Sequence, residues 1–258
     1  MSDENGKSTS GGRTVRIRVK RQDGPGAKPR WEDFRVPWES NMNVLAALMA
    51  VQRDPVTADG KPTTPPVWDS NCLEEVCGAC TMVVNGRVRQ GCTALVDDYK
   101  QPITLEPMRK FPVVRDLRVD RRRIFEGFKR VQAWVEIDGT HDLGPGPRYD
   151  AEQAELRYAL SRCMACGCCM DACPNYGPQS SFIGAAAISQ ARLFNAHPTG
   201  AADADKRLAA LQSDGGIGGC GLAQNCAKVC PKDIPLVSSI SDMMKETGKY
   251  AFRSLFRK

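Results

Sequence analysis

Twelve cysteines constrain this 258-residue chain more than any other feature of its sequence. They fall in three groups, which begin at Cys72, Cys163 and Cys220. The first residues, "MSDENGKSTSGGR", are polar and lack the apolar core of a secretory signal, so we expect a disordered tail over residues 1–13. Without a signal for an oxidising compartment, spaced cysteines are expected to bind metal rather than to form disulfides.

The first group has the spacing of a plant-type [2Fe–2S] site. In "NCLEEVCGAC" the cysteines are Cys72, Cys77 and Cys80, and Cys92 follows after a further eleven residues. One loop can therefore wrap a small inorganic core, and the fourth thiolate comes from a neighbouring strand. Gly78 lets the backbone approach closely. Zinc is indicated instead by two C-x2-C pairs about 15–20 residues apart, and that pattern does not occur here.

The second group, "CMACGCCMDACP", contains the bacterial ferredoxin motif without a gap. In that motif the last cysteine, here Cys173, binds the other cluster of a pair. By the same rule, Cys230 of the third group returns to the first cluster of the pair. The predicted [4Fe–4S] ligands are therefore Cys163, Cys166, Cys169 and Cys230.

The third group, "CGLAQNCAKVCP", follows the same motif except that Ala223 stands where a cysteine is required. Three thiolates remain, from Cys173, Cys220 and Cys226. They suit a [3Fe–4S] cluster, with Ala223 at the missing corner. The alternatives are a decayed site, or a four-iron cluster whose fourth ligand is water or another residue.

Other candidate features of the sequence are weaker. Cys168 falls outside the motif register, and we interpret it as a non-ligand that packs as a small apolar residue or donates a weak S–H bond that tunes the potential. The stretch "GIGGCG" follows no strand and overlaps a cluster ligand, so it is not a dinucleotide site. His141 and His197 are more simply explained as structural residues. We therefore expect the chain to carry single electrons between partners, without substrate chemistry of its own.

Hydrophobic periodicity predicts an α+β fold with two domains. Residues 14–115 show a hairpin over 15–20 and 34–38, a helix capped by Asn43, a hairpin turn at Asn85-Gly86 and a last strand in 102–107. This order fits a [2Fe–2S] ferredoxin-like β-grasp domain. Beyond about residue 117 the strand pattern fades, and residues 116–258 are predicted to form a helical, bacterial-ferredoxin-like domain. The helical candidates are 118–134, 151–163, 187–195, 204–212 and 235–256.

The net charge of +6 leaves two interpretations open. The basic run at 121–123 can be a solvated face, or it can meet an acidic partner, an anionic membrane or nucleic acid. A zinc-stabilised, basic nucleic-acid-binding protein is therefore a remote alternative. The longest apolar run, residues 44–51, is far shorter than the roughly 18–20 residues of a membrane span, so no transmembrane segment is expected.

Over residues 13–250 the sequence resembles the iron–sulfur subunits of succinate dehydrogenase and fumarate reductase. The resemblance rests on "NCLEEVCGACTMVVNG", "FPVVRDLRVDR", "CMACGCCMDACPN" and "CGLAQNCAKVCPK". It implies a relay through [2Fe–2S], [4Fe–4S] and [3Fe–4S] clusters, from a flavoprotein subunit with FAD to a membrane anchor, with no nucleic acid. The chain would then lie peripherally on the cytoplasmic face of the cell membrane. The iron–sulfur subunit of another flavin-linked dehydrogenase is the nearer alternative.

"IDGTHDLGPGPR" and "ARLFNAHPTG" resemble the menaquinone-linked branch, whose anchor is a di-haem cytochrome b. Ubiquinone-linked relatives have a Trp after the Cys-Pro of the second motif and a His after the first cysteine of the third. Here Gly221 replaces that His, and the nearby polar residues are Asn175, Tyr176, Gln224 and Asn225. We therefore expect the quinone to bind in the anchor. The C-terminal segment 238–258 carries apolar and basic residues, and it either covers the core or contacts the anchor or lipid headgroups.

Overall fold

The computed structural model describes residues 12–136 and 148–256. Most of the predicted tail, most of the stretch "IDGTHDLGPGPR" with His141, and the last two residues of the C-terminal segment lie outside the described residues.

A five-stranded sheet forms the N-terminal half of the chain. Its strands are β1 (Thr14–Arg21), β2 (Arg30–Pro37), β3 (Thr81–Val84), β4 (Arg87–Gln90) and β5 (Ile103–Glu106), in the spatial order β2-β1-β5-β3-β4. Both predicted hairpins are confirmed, since β1 pairs antiparallel with β2 and β3 with β4. The last strand in sequence is the middle strand in space. It pairs parallel to β1 and antiparallel to β3, which suits the completely buried Ile103 and Leu105.

Helix α1 (Val44–Arg53) packs its apolar face on this sheet. The Asn43 side chain accepts a hydrogen bond from the Ala46 N–H at 2.8 Å, which confirms the predicted N-cap. The helix ends before Asp54 and Pro55, where proline removes a backbone donor. Val44, Leu48 and Val51 are buried, as the periodicity predicts.

The segment that leaves the sheet contains a small hairpin that the sequence pattern did not reveal. Strand β6 (Val113–Arg115) pairs with β7 (Arg118–Val119), so the predicted helix over 118–134 was wrong at its start. The intervening Asp116 is completely buried. Its carboxylate accepts from Arg21 Nε at 3.0 Å and from the Gln22 and Val67 N–H groups at 2.9 Å each. These bonds compensate the buried charge and tie the exit segment to β1.

Beyond this hairpin the described residues are mainly helical, as predicted. The helices are α2 (Arg122–Arg130), α3 (Ala151–Ser161), α4 (Cys168–Asp171), α5 (Ala185–Ala196), α6 (Ala204–Gln212), α7 (Asn225–Lys228) and α8 (Leu236–Leu255). Helices α4 and α7 were missed, because four residues are too few to show a helical period. Within the described residues, no helix combines the length and apolarity needed to cross a membrane.

The two halves have separate hydrophobic clusters that meet at the sheet. Val83 and Val88 of the sheet and Met108 and Phe111 of the exit segment belong to the buried cluster of the helices. The other buried apolar residues of the sheet form a second cluster with α1. The domain boundary at residues 115–116 stays a prediction.

Candidate metal centres

The first cysteine group lies in a loop whose backbone amides point at sulfur. Cys72 Sγ accepts from the N–H groups of Val76 and Cys77 at 3.3 Å each and of Glu74 at 3.5 Å. Leu73 and Glu75 adopt left-handed φ values of 63° and 58°, which turn successive amides towards one side. These N–H groups lower the pKa of the Cys72 thiol to about 7, so the loop favours the thiolate that binds iron.

Cys80 and Cys92 are the buried members of this group. Burial raises the pKa of Cys92 to about 12, and the neighbouring Cys80 thiol adds to the rise. Cys92 lies in a short 3-10 turn, Gly91–Thr93, directly after β4, so the predicted position of this thiolate on a strand was wrong. A Cβ at position 91 would lie 2.9 Å from Leu45 Cδ2, so this turn packs closely on α1 at the glycine.

The second and third groups line two separate cavities with crossed membership. One cavity is lined by Cys163, Cys166, Cys168, Cys169 and Cys230. The other is lined by Cys173, Cys220, Cys226 and Ala223. Thus each motif supplies its last cysteine to the cavity of the other, in the arrangement expected from the ferredoxin spacing.

The pKa shifts of the thiols indicate the same two sets of cysteines. Burial first, and then the nearby Cys166 and Cys230 thiols, raise the pKa of Cys163 to about 11. The pKa of Cys226 is raised first by burial and then by Cys173 and Cys220. Buried thiols at close quarters oppose their own ionisation, and a bound cation removes that opposition. The donor set therefore fits iron–sulfur clusters.

The loops of the second and third groups have the same backbone path. Ala165 and Gly167, two and four residues after Cys163, have positive φ values of 52° and 87°. Leu222 and Gln224 occupy the equivalent places after Cys220, with φ values of 54° and 59°. Each loop then enters a four-residue helix, α4 or α7. Non-glycine residues in this conformation are strained, so their repetition indicates that the loop shape is retained for a purpose.

In this correspondence Ala223 takes the place of Cys166. Both residues lie three positions after the first cysteine and between the two left-handed residues. The third loop therefore differs from the second by the loss of one thiol, while its backbone is unchanged. A decayed site would have no reason to keep two strained residues.

The first and second cysteine loops touch at Gly78. A Cβ at this position would lie 2.8 Å from Cys166 Cβ, and Gly78 has a φ of +69°. Arg121 hydrogen-bonds to the first loop at this contact, since its guanidinium donates to the carbonyls of Gly78 and Ala79. The pKa of Cys166 is lowered, first by a hydrogen bond from the Cys168 thiol and also by the charge of Arg121.

The basic run at 121–123 is therefore mostly internal. Arg123 donates to the carbonyls of Gly177 and Ser180, and its guanidinium stacks 4.4 Å from the ring centre of Tyr176. Only Arg122 is well exposed, and it pairs with Asp120. Neither sequence interpretation anticipated this use of arginine, since carbonyl partners far away in the chain leave no local pattern.

The polar residues near the third group differ in their burial and in their partners. Tyr176 is buried, and its hydroxyl has no hydrogen-bond partner in the described part of the chain. A Cβ at Gly221 would lie 2.8 Å from Asn175 Oδ1, so the asparagine fills the space next to the glycine. Asn225 Nδ2 donates to the Ala172 carbonyl at 3.2 Å, whereas Gln224 is exposed. His197 Nδ1 accepts from the Gly200 N–H at 3.2 Å, as a structural residue would.

The described residues contain no group of three His, Cys, Asp or Glu side chains arranged to hold a single metal ion. The predicted ligands instead surround two cavities and one loop, and they are thiols throughout.

Two protein families match parts of the chain. Residues 16–126 match the family described as "2Fe-2S iron-sulfur cluster binding domain", and residues 159–234 match the "4Fe-4S dicluster domain". The first match contains the first cysteine group, and the second match contains the two later groups.

Whole-chain comparisons agree with the domain matches. The chain is 53% identical over 244 residues to the succinate dehydrogenase iron-sulfur subunit of Bacillus subtilis, covering 95% of this chain and 96% of that protein. It is 30% identical over 240 residues to the fumarate reductase iron-sulfur subunit of Wolinella succinogenes, covering 91% and 98% respectively. A chain of the Mycobacterium smegmatis Sdh1 complex has the same fold, with a TM-score of 0.76 at 24% identity and coverage of 93% and 97%.

Gly78→Ala tests the contact between the first two cysteine loops. The added Cβ meets both Cys166 Cβ at 2.8 Å and the Met164 carbonyl oxygen at 2.9 Å, so we expect loss of most bound iron. Gly86→Ala is the matched control, because Gly86 has a φ of +81° but nothing within 4 Å. It should cost about 1–3 kcal/mol of stability and keep its iron. Full iron retention in Gly78→Ala would show that the loops do not need this contact.

Proposed function

The chain belongs to the family of iron–sulfur subunits of succinate dehydrogenase and fumarate reductase, and we propose that it transfers electrons from a flavoprotein subunit to a membrane anchor through three clusters. As a member of this family it is an electron-transfer subunit of an oxidoreductase complex, with [2Fe–2S] and [4Fe–4S] cluster domains. When bound, the clusters supply one-electron redox chemistry, and the cysteine thiolates of the chain hold them.

The crossed membership of the two cavities is the observation that carries the proposal. We assign the [2Fe–2S] centre to Cys72, Cys77, Cys80 and Cys92, and the [4Fe–4S] centre to Cys163, Cys166, Cys169 and Cys230. The third centre takes Cys173, Cys220 and Cys226. Shared motifs of this kind hold two clusters near each other, because each loop contributes to both.

We assign the third centre as [3Fe–4S]. The support is the repeated loop, in which Ala223 replaces Cys166 while the left-handed residues Leu222 and Gln224 are kept. Three thiols leave one corner of a cubane without a ligand from the chain. A purely apolar Ala223 gives iron nothing to bind at that corner.

Electrons enter, in this proposal, at the first cysteine loop. Leu73, Val76 and Leu95 are large apolar residues that stay exposed around this group. Large apolar side chains that cluster on a surface mark contacts with another protein. The flavoprotein subunit, with its FAD, is the partner that has to approach this centre.

Electrons leave at the opposite end, towards a cytochrome b anchor. Leu222 and Val237 are exposed beside the cavity of Cys173, Cys220 and Cys226. Tyr176 is buried under Arg123, so its hydroxyl is not offered to a quinone carbonyl, and the exposed amides at this cavity are those of Asn175 and Gln224. In this proposal electrons pass directly to haem in the anchor, and menaquinone binds there. The chain would then lie peripherally on the cytoplasmic side of the membrane.

Helix α8 divides into two parts along its length. Ile240 and Met243 are buried in the core, whereas Phe252, Leu255 and Phe256 are 65%, 73% and 74% exposed. The first part of α8 therefore covers the core, and the last part is exposed. The last part is the proposed contact with the anchor.

The charged residues in the second half of α8 favour contact with a protein over contact with lipid headgroups. Lys245 is 3.9 Å from Asp242, Lys249 pairs with Glu246 at 3.0 Å, and Arg253 pairs with Asp205 at 3.3 Å. Each of these cations already has an acidic partner on the chain, so an apolar surface is what the end of α8 offers.

Iron analysis of the complex purified anaerobically from membranes tests the function. We expect about nine iron atoms per chain, no stoichiometric zinc, and a flavin-containing subunit that co-purifies. The oxidised complex should show the EPR signal of a three-iron centre. About four or six irons per chain with all cysteines present, or stoichiometric zinc, would contradict the three-cluster assignment.

Ala223→Cys tests the identity of the third centre. The variant restores the ligand that Cys166 supplies in the second loop, so we expect conversion of [3Fe–4S] into [4Fe–4S]. The EPR signal of the oxidised three-iron centre should disappear and the iron content should rise by about one atom per chain. Ala227→Cys, one helical position after Cys226, is the control and should leave that signal in place. An unchanged signal in Ala223→Cys would mean that residue 223 does not face the cluster.

Phe252→Ser combined with Leu255→Ser tests the anchor contact. Two exposed apolar side chains are lost, so the complex should dissociate more readily from the membrane fraction while its cluster spectra stay intact. Tyr158→Ser is the control, since Tyr158 is equally exposed but lies on α3. Membrane retention equal to that of the unaltered protein would show that this surface does not contact the anchor. Loss of the clusters would show instead that these side chains stabilise the core.

A further inference from the structure

Gln90 occupies a place that the sequence did not single out. It is the last residue of β4, its side chain is completely buried, and it lies between the first and second cysteine groups. Its amide oxygen is 3.5 Å from Cys80 Sγ, and its amide nitrogen is 3.5 Å from Cys168 Sγ. The nitrogen also donates to Thr81 Oγ1 at 2.8 Å. One amide therefore spans from a proposed [2Fe–2S] ligand to the residue beside a proposed [4Fe–4S] ligand.

Cys168 continues the connection on the other side. It is completely buried and lines the same cavity as Cys166, whose pKa it lowers. It is next to Cys169 in sequence and lines the same cavity, but it belongs to neither motif. Cys80, Gln90, Cys168 and Cys166 therefore form one buried chain of polar contacts.

Iron binding determines which way the Gln90 amide has to face. A cysteine bound to iron is a thiolate, which accepts hydrogen bonds but cannot donate one. The amide oxygen cannot stay against such a sulfur, whereas the amide N–H can, and exchanging the two ends of an amide needs no movement of its neighbours. The Thr81 hydroxyl then donates to the amide oxygen.

The surrounding groups give the exchanged amide a donor. In the described structure Thr81 Oγ1 donates to the Gly78 carbonyl at 2.9 Å. When the hydroxyl turns to Gln90, the Gly78 carbonyl keeps its bond from the Arg121 guanidinium. The amide oxygen of Gln90 and the Gly78 carbonyl therefore both have a donor after the exchange, as buried polar networks require.

We propose that Gln90 and Cys168 are a pair of positioning residues between the first two clusters, in which Gln90 donates to the Cys80 thiolate and Cys168 donates to the Cys166 thiolate. The inference rests on the proposed function, because it takes these cysteines to be ligands. A donor to a ligand sulfur stabilises the reduced, more negative state, so each residue raises the potential of one cluster. Gln90 acts on the [2Fe–2S] centre and Cys168 on the [4Fe–4S] centre.

The test is a pair of substitutions that should each change the potential of a different cluster. The potentials are measured in the complete complex by EPR-monitored redox titration. Gln90→Leu keeps the side-chain size and removes the donor. At a fixed potential it should raise the ratio of oxidised to reduced [2Fe–2S] about tenfold, equivalent to a decrease of about 59 mV for one electron, and leave the [4Fe–4S] potential unchanged. Cys168→Ala should lower the [4Fe–4S] potential alone, by a smaller amount, because S–H is a weak donor.

Thr247→Val is the matched control, since Thr247 is a buried hydroxyl on α8 without a hydrogen-bond partner in the described chain. All three cluster potentials should stay unchanged in it. If Gln90→Leu does not retain its [2Fe–2S] cluster, Thr81→Val replaces it, because it removes only the hydroxyl that holds the amide and should shift the same potential in the same direction.

An unchanged [2Fe–2S] potential in the loaded Gln90→Leu variant, or in Thr81→Val where that variant replaces it, would overturn the inference. Equal shifts of both potentials in Gln90→Leu and in Cys168→Ala would also overturn it, because they would indicate a general structural change. Failure of the proposed function has a separate signature: the unaltered complex would then lack the [2Fe–2S] and [4Fe–4S] signals before any substitution is made.

Discussion

The structure depends on bringing thiols from distant segments to the same place. Cys230 has to reach the cavity of Cys163, while Cys173 has to reach the cavity of Cys220. Closing such loops costs chain entropy, which the surrounding apolar core has to offset. Helices α5, α6 and α8 pack against one another between and beside the two motifs, and their burial sets the positions from which the cysteines project.

The joint between the two halves is as tightly determined as the cavities. Gly78 lies against Cys166 with no room for a Cβ, and Arg121 holds the carbonyls on the same side. The buried ion pair of Arg21 and Asp116 fixes the segment that leads into this joint. Electron transfer between neighbouring centres needs closeness and a constant environment, and the close contact of the two loops, held by Arg121, provides both.

The basic residues illustrate how tertiary context changes the meaning of a pattern. A run of three arginines is compatible with a nucleic-acid surface or a solvated face. Here Arg121 and Arg123 hydrogen-bond to backbone carbonyls of loops that carry cysteines or follow them. Guanidinium groups are suited to this because they offer five donors in a planar arrangement. The positive charge of the run thus serves the iron–sulfur region of the chain itself.

The sequence alone determined the order of the elements and the chemical type of the site. Strand alternation, the Asn43 cap, the Asn85-Gly86 turn and the cysteine spacings are local patterns, and local geometry governs them, so they predicted both hairpins, α1 and the helical second half. The central place of β5, the β6–β7 hairpin, the internal use of Arg121 and the position of Gln90 were decided only by the tertiary structure. Each of these depends on a partner far away in the chain, and a contact between distant residues leaves no periodicity in the sequence of either one.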